Sequence, residues 1–300
     1  MPITIQPISP IAVSLFGLEI RWYALAYIAA FIAGYWLMRK LAVSSEQSAG
    51  NKQKTADCYL LTANSKKNWD DLLTYVIIGT IAGGRLGYVL FYNLGFFIRH
   101  PLEIFAIWNG GMSFHGGLLG VIVSVFLFAK RIGRQKQSLE LRVKSLDKPN
   151  SSTLQNGFAI LDLMAAVAPI GLFFGRIANF INMEVMGRAT DRPWGIVFAG
   201  APDQTPRHAS PLYEAALEGV LLFAVMWGLW RFTRLRERTG ALSGIFAMTY
   251  AAVRIFAEQF RQPDAQLGFL TGWGLTMGQL LSGLMLAAGA ILFTVAMRKK

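Results

Sequence analysis

The stretch Leu172-Phe173-Phe174-Gly175-Arg176-Ile177-Ala178-Asn179-Phe180-Ile181-Asn182-Met183-Glu184 closes an apolar run that begins at Leu163. The run is about twenty residues long, enough to cross the hydrocarbon core of a bilayer as a helix. A lone arginine at that depth is unfavourable by roughly 2.5 to over 10 kcal/mol, so it belongs in a bundle interior, a polar cavity or beside an anion. At about 100° per residue, Arg176, Asn179 and Glu184 fall within an arc of about 140° and are expected to point into one space. Two readings stay open for Arg176: a functional cation facing an anion, or a structural one that pairs with a buried carboxylate or snorkels to the headgroups.

The rest of the chain reads the same way. Its 300 residues are 54% hydrophobic and 15% charged, far from an ordinary soluble domain. Apolar runs recur at Trp22–Met38, Leu72–Phe91, Met112–Ala129, Leu161–Asn182, Leu212–Trp230, Leu242–Gln259 and Trp273–Met297. The predicted fold is an all-α polytopic membrane protein, a single integral membrane domain over residues 1–300 with about seven transmembrane helices. Residues 93–111, apolar but interrupted by Arg99, Pro101 and Glu103, are expected to form an interfacial arm on the outer side. Residues 184–210 are too polar to cross and are expected to form a small head on the outer side. Ser210-Pro211 has the pattern of a helix N-cap followed by a first-turn proline.

The net charge of +12 is concentrated rather than spread. Lys and Arg number six in Arg39–Lys67, seven in Lys130–Lys148, four in Arg231–Arg238 and three in Arg298–Lys300. Alternation of these with charge-poor segments is the positive-inside pattern. It predicts residues 39–71 and 130–157 as flexible cytoplasmic loops, with the N-terminus outside and the C-terminus in the cytoplasm. No aromatic-interleaved basic stripe accompanies the charge, so nucleic acid is not an expected partner. The first apolar segment lacks a basic n-region and a cleavage site, and is expected to be a retained span. Cys58 has no second cysteine to pair with and reads as incidental. His100, His115 and His208 lack metal-ligand spacing; no metal and no cofactor are expected. No internal repeat argues for a transporter.

Two further constellations carry chemistry. Gly110-Gly111-Met112-Ser113-Phe114-His115-Gly116-Gly117 surrounds a histidine, the side chain best suited to proton transfer near neutral pH, with glycines. Those glycines admit either a substrate or a neighbouring helix. Tyr250, Arg254 and Glu258 stand at i, i+4 and i+8 on one face of the sixth run, where Arg254 and Glu258 can also pair with each other. Arg85, in Gly83-Gly84-Arg85-Leu86-Gly87-Tyr88, is a third intramembrane arginine. Gathered, the three would form an anion cavity, and within lipid the natural anion is a phospholipid phosphate.

Together these segments resemble the bacterial prolipoprotein diacylglyceryl transferases over almost the whole chain. The resemblance rests on Arg21-Trp22-Tyr23, Gly83 to Tyr88, Ser113 to Gly117, Gly175 to Glu184, Gly187-Arg188, Pro193-Trp194-Gly195, Leu212-Tyr213-Glu214 and Tyr250 to Glu258, in order. The chain departs from the family at Ala178 and Met183, where glycine is usual, and at Ala209-Ser210-Pro211, where Pro-Ser-Gln is common. The resemblance implies transfer of a diacylglyceryl group from phosphatidylglycerol to the lipobox cysteine of a prolipoprotein signal peptide, with a thioether formed and glycerol phosphate released. On that basis Arg176, Asn179, Glu184 and Gly187 are expected to bind phosphatidylglycerol. Tyr23, Tyr250 and Glu258 would support it, Arg254 would meet the transition-state phosphate, and His115 would take the thiol proton. A lipid or anion transporter using the same arginines, or another phosphatidylglycerol-dependent headgroup transferase, are the alternatives.

Overall fold

The computed structural model describes residues 3–6, 8–15, 18–48, 65–107, 110–142, 153–198, 203–263, 268–272 and 274–298. Cys58 and the Trp273 boundary of the last predicted span lie outside them. The long helices are α1 (Trp22–Ser48), α2 (Ser65–Tyr92), α4 (Phe114–Arg142), α5 (Thr153–Ile181), α6 (Ser210–Phe232), α7 (Ala241–Ala257) and α8 (Met277–Arg298), with a short α3 (Leu94–Arg99) after α2. Six are long and apolar enough to cross a membrane, and α7 is a shorter apolar helix. Their outward residues are apolar as well: Ile32 is 65% exposed on α1 and Ile291 66% on α8. Water would not tolerate such a surface, and lipid does.

Two corrections concern the polar connections. The expected loops 39–71 and 130–157 are partly helical, because α1 runs on to Ser48, α2 begins at Ser65, α4 reaches Arg142 and α5 begins at Thr153. Polar, lysine-rich sequence is a good helix former beyond the bilayer, and composition alone hid this. Ser210 is not the N-cap of α6. Ala209 takes that position, and the Ser210 hydroxyl donates to the Val185 carbonyl at 2.9 Å.

The chain forms two compact units, Lys40–Leu163 and Met1–Arg39 with Met164–Lys300. In the first, α2 and α4 meet along small residues. A Cβ built on Gly83 would lie 2.4 Å from the Gly116 carbonyl oxygen, and one on Gly120 would lie 2.0 Å from that of Gly79. Only glycine permits such backbone approach, which replaces the missing hydrophobic drive for association in lipid. Beyond α3, Pro101–Phe105 forms a 3-10 turn. Its residues Leu102 and Phe105 are 82% and 74% exposed.

In the second unit, the antiparallel hairpin β2 (Ile11–Leu15) and β3 (Leu18–Arg21) leads directly into α1. β1 (Ile3–Ile5) pairs in parallel with β4 (Ile196–Phe198). Around β4, Ile196, Phe198 and Ala209 make a small core with Ile5, Phe180, Met183, Met186 and Leu212 packed against it. Within the expected head, residues 184–198 and 203–210 thus carry a strand and isolated bridges.

Candidate functional site

α5 carries Arg176 into the interior of the second unit, and α6 meets it there. A Cβ on Gly219 would lie 2.7 Å from the Phe173 Cβ, so the glycine lets α6 press onto α5 one turn before Arg176. Residues Ala215–Leu221 form a π-helical turn, a rare widening that recurs at functional sites. Glu214 and Glu218 flank this contact, and both are 0% exposed.

The result is an ionic core. Arg176 Nε and Nη2 lie 3.0 and 2.9 Å from Glu218 Oε2, and its Nη1 lies 3.0 Å from Glu214 Oε2. Arg254 Nη1 lies 3.0 Å from the same Glu214 oxygen and 3.3 Å from Glu218 Oε1. Its Nη2 reaches Glu258 Oε2 at 2.7 Å. Arg261 Nη1 approaches Glu214 Oε1 at 3.6 Å. Three guanidinium ions thus face three carboxylates. Buried ions survive in apolar surroundings only when paired in this way.

This changes the reading of the arginines. The pairing with buried carboxylates, one of the two readings open for Arg176, is present in the structure, and the core is neutral rather than a net cationic trap. Glu214 and Glu218 were not named as site residues from sequence. Two carboxylates four residues apart inside an apolar helix were the available signal, by the rule that singled out Arg176.

Glu184 leaves the helical face that carries Arg176. The helical arc assumed that α5 continues, but it ends at Ile181, and Met183 and Val185 take left-handed φ values of 54° and 60°. Glu184 turns out toward solvent, with Asn182 Nδ2 3.5 Å from its Oε1. Surrounding protein raises its carboxyl above the usual range, opposed by that hydrogen bond and by the Arg21 charge. Asn179 stays inside, where the Tyr23 hydroxyl donates to its Oδ1. Tyr250, 1% exposed, stacks on Phe246 one turn before Arg254.

The head is stitched to the end of α7. Gly187 N–H donates to the His208 carbonyl at 3.1 Å, and a Cβ there would lie 2.2 Å from that oxygen, so only glycine fits. Arg188 Nε and Nη2 donate to the carbonyls of Arg261 and Glu258 at 2.9 and 3.4 Å, satisfying backbone just beyond α7. Arg207 Nη1 donates to Gln262 Oε1 at 2.7 Å, and its Nη2 pairs with Asp203 Oδ2 at 2.9 Å. The Asp203 carboxyl is held below its usual range by that arginine. Burial, reinforced by the Arg192 charge, holds the His208 imidazole below its usual range against the pull of Asp191.

His115 belongs to the Lys40–Leu163 unit, half-buried at the start of α4 with its ring edge-on to Phe114 at 5.5 Å. One open alternative is decided here and one expectation is corrected. Gly116 is filled by helix packing, since its Cβ would lie 2.4 Å from the Gly83 carbonyl oxygen; it admits α2 rather than a substrate. Arg85 is no third member of an anion cavity. Its guanidinium donates to the carbonyls of Ile104 and Ala106 at 2.9 and 3.1 Å, and to those of Glu103, Gly110 and Gly111, anchoring those residues to α2.

The family model described as prolipoprotein diacylglyceryl transferase matches residues 10–143 and 148–295 of this chain. A phosphatidylglycerol–prolipoprotein diacylglyceryl transferase of Rhodospirillum rubrum is 47% identical over 295 residues, which cover 98% of this chain and 94% of that protein. One from Methylocella silvestris is 46% identical over 98% of this chain and 95% of its own. One from Nitratidesulfovibrio vulgaris is 43% identical over 93% and 91%.

Proposed function

Because the chain belongs to the prolipoprotein diacylglyceryl transferase family, we infer that it is a multi-pass membrane enzyme that moves the diacylglyceryl group of phosphatidylglycerol onto prolipoprotein, and that the ionic core around Arg176 and Arg254 receives the lipid phosphate. In the reaction a cysteine sulfur bonds to the glycerol carbon of the diacylglyceryl group while that carbon's bond to the phosphate oxygen breaks. The electron pair leaves on the phosphate, glycerol phosphate departs, and the thiol proton passes to a base. One arrangement carries the assignment of the phosphate. Arg176 Nη1 and Arg254 Nη1 both lie 3.0 Å from one oxygen, Glu214 Oε2, so two guanidinium charges converge on a single anionic oxygen. Arg176 donates two of its five N–H groups to Glu218. The remainder suit a phosphate oxygen, and charge that grows there in the transition state is met by donors already in place.

Within this reading Arg176 and Asn179 bind the headgroup, with Glu184 and Gly187 bounding it from the head. Arg254 stabilises the departing phosphate, and Tyr23, Tyr250 and Glu258 orient their partners by hydrogen bonds and charge. His115 accepts the thiol proton; a free thiol with a pKa near 8.5 is mostly protonated at neutral pH and needs such a base. The acceptor is the lipobox cysteine of a signal peptide. The protein sits in the bacterial inner membrane with its N-terminus and residues 184–210 in the periplasm and its C-terminus in the cytoplasm, supported by the placement of the basic segments.

Incubating the purified protein with phosphatidylglycerol and a lipobox peptide tests the reading. The expected result is a peptide gaining one diacylglyceryl group in thioether linkage, seen by mass spectrometry, with glycerol phosphate in equal amount. Lipid movement without a covalent product would support a transporter, and transfer of the headgroup to another acceptor would support a different transferase.

A further inference from the structure

Glu258 follows α7 and faces the start of α8. The α8 helix opens with a reciprocal cap: Thr276 N–H donates to Gln279 Oε1 at 3.1 Å, and Gln279 N–H donates to Thr276 Oγ1 at 3.2 Å. The Thr276 hydroxyl spends its own proton elsewhere, on Glu258 Oε1 at 3.0 Å. Thr276 is 3% and Glu258 4% exposed. Directly beside them stands Gly278, on which a Cβ would lie 2.9 Å from Glu258 Oε1 and 3.1 Å from its carboxyl carbon. The carboxylate therefore occupies the volume that any other residue at 278 would fill, over the electropositive first turn of a helix of 22 residues.

We infer that Thr276 and Gly278 are positioning residues for the transfer reaction, forming a seat that holds Glu258 so that Glu258 aims Arg254. This rests on the reading of Arg254 as the residue that meets the phosphate. The guanidinium of Arg254 is anchored at two points: Nη1 on Glu214 and Glu218, and Nη2 on Glu258. Two anchors fix the plane of a rigid fork. Release of the second lets the fork turn about the first, and misplacement by about an ångström at a reacting centre can lower the rate about 100-fold.

The test uses Gly278→Ala, Thr276→Val, Thr276→Ser, Glu258→Gln and Arg254→Lys in the full chain, assayed in detergent with phosphatidylglycerol and a lipobox peptide. Alanine is the better helix former, but its Cβ presses on the Glu258 carboxylate, so Gly278→Ala should still fold and melt somewhat below the parent. Its kcat should fall roughly tenfold to a hundredfold, with KM for phosphatidylglycerol little changed. Thr276→Val should behave alike, and Thr276→Ser, which restores the hydroxyl, should recover most of the loss. On a Glu258→Gln background Gly278→Ala should add little, the coupling expected of residues that act through one another. A normal kcat in Gly278→Ala and Thr276→Val, beside an inactive Arg254→Lys, overturns the seat and leaves the reading of Arg254 standing. An equal loss from Gly278→Ala with or without the Glu258 carboxylate also overturns it. Full activity in Arg254→Lys and Glu258→Gln overturns both.

Discussion

Gly219 and Phe173 touch backbone to side chain, with the place of an absent Cβ 2.7 Å from the Phe173 Cβ and 2.9 Å from its Cα. That contact brings Glu218 within 2.9 Å of Arg176. Gly219→Ala should therefore part α5 and α6. The expected outcome is a loss of about 1–3 kcal/mol in stability from overpacking, together with lower activity. Gly228→Ala, on the same helix with nothing within 4 Å of its Cβ position, should melt at or above the parent. Thermal melting in detergent with parallel activity assays distinguishes the two.

Arg176→Lys and Arg254→Lys retain the charge but lose the planar fork. Each lysine can face one carboxylate and cannot bridge two. Both variants should insert normally and lose most transferase activity. Near-normal turnover in both would show that the arginines supply only field or packing.

His115→Gln keeps a polar side chain of similar size and removes the base. Phosphatidylglycerol binding should persist, while single-turnover thioether formation should fall by roughly 10²–10⁴, the usual loss for a missing general base. Weak lipid binding with an unchanged chemical rate would make His115 a binding residue.

His208 offers a pH dependence outside the spans. Its pKa is lowered in the fold by burial, so the folded state favours the neutral ring. The stability this contributes is present above the unfolded value of about 6.5 and is lost as pH falls through the lower folded one. The protection factor of the Gly187 amide, whose N–H donates to the His208 carbonyl, should fall between neutral and mildly acidic pH once the intrinsic pH dependence of exchange is divided out. His208→Gln should flatten that change.

Orientation is open to labelling. A cysteine placed at Thr190 should react with an impermeant thiol reagent once the outer membrane is permeabilised, and one at Ser138 should not. The reverse pattern would invert the topology. Cys58→Ser, the background for these experiments, should keep full activity.

The elements of this protein were legible in its sequence because lipid imposes one rule on every span: twenty apolar residues in helical form. The same rule exposed Arg176 and Arg254, since a charge in an apolar run stands out whatever surrounds it. Partner identity followed from no such rule. Whether Arg176 meets Glu218 depends on the rotation of α6 against α5, set by the missing Cβ of Gly219. Glu184 left the predicted face because Met183 and Val185 adopt left-handed backbone, which the periodicity of an apolar run does not encode. The glycines beside His115 had two meanings in sequence, close approach by substrate or by helix, because an absent side chain looks the same in both. Their neighbours decided it, and at Gly116 the neighbour is the backbone of Gly83. Sequence determined which residues must avoid lipid; only tertiary packing decided which of them meet, because pairing depends on distances of a few ångströms between helices far apart in the chain.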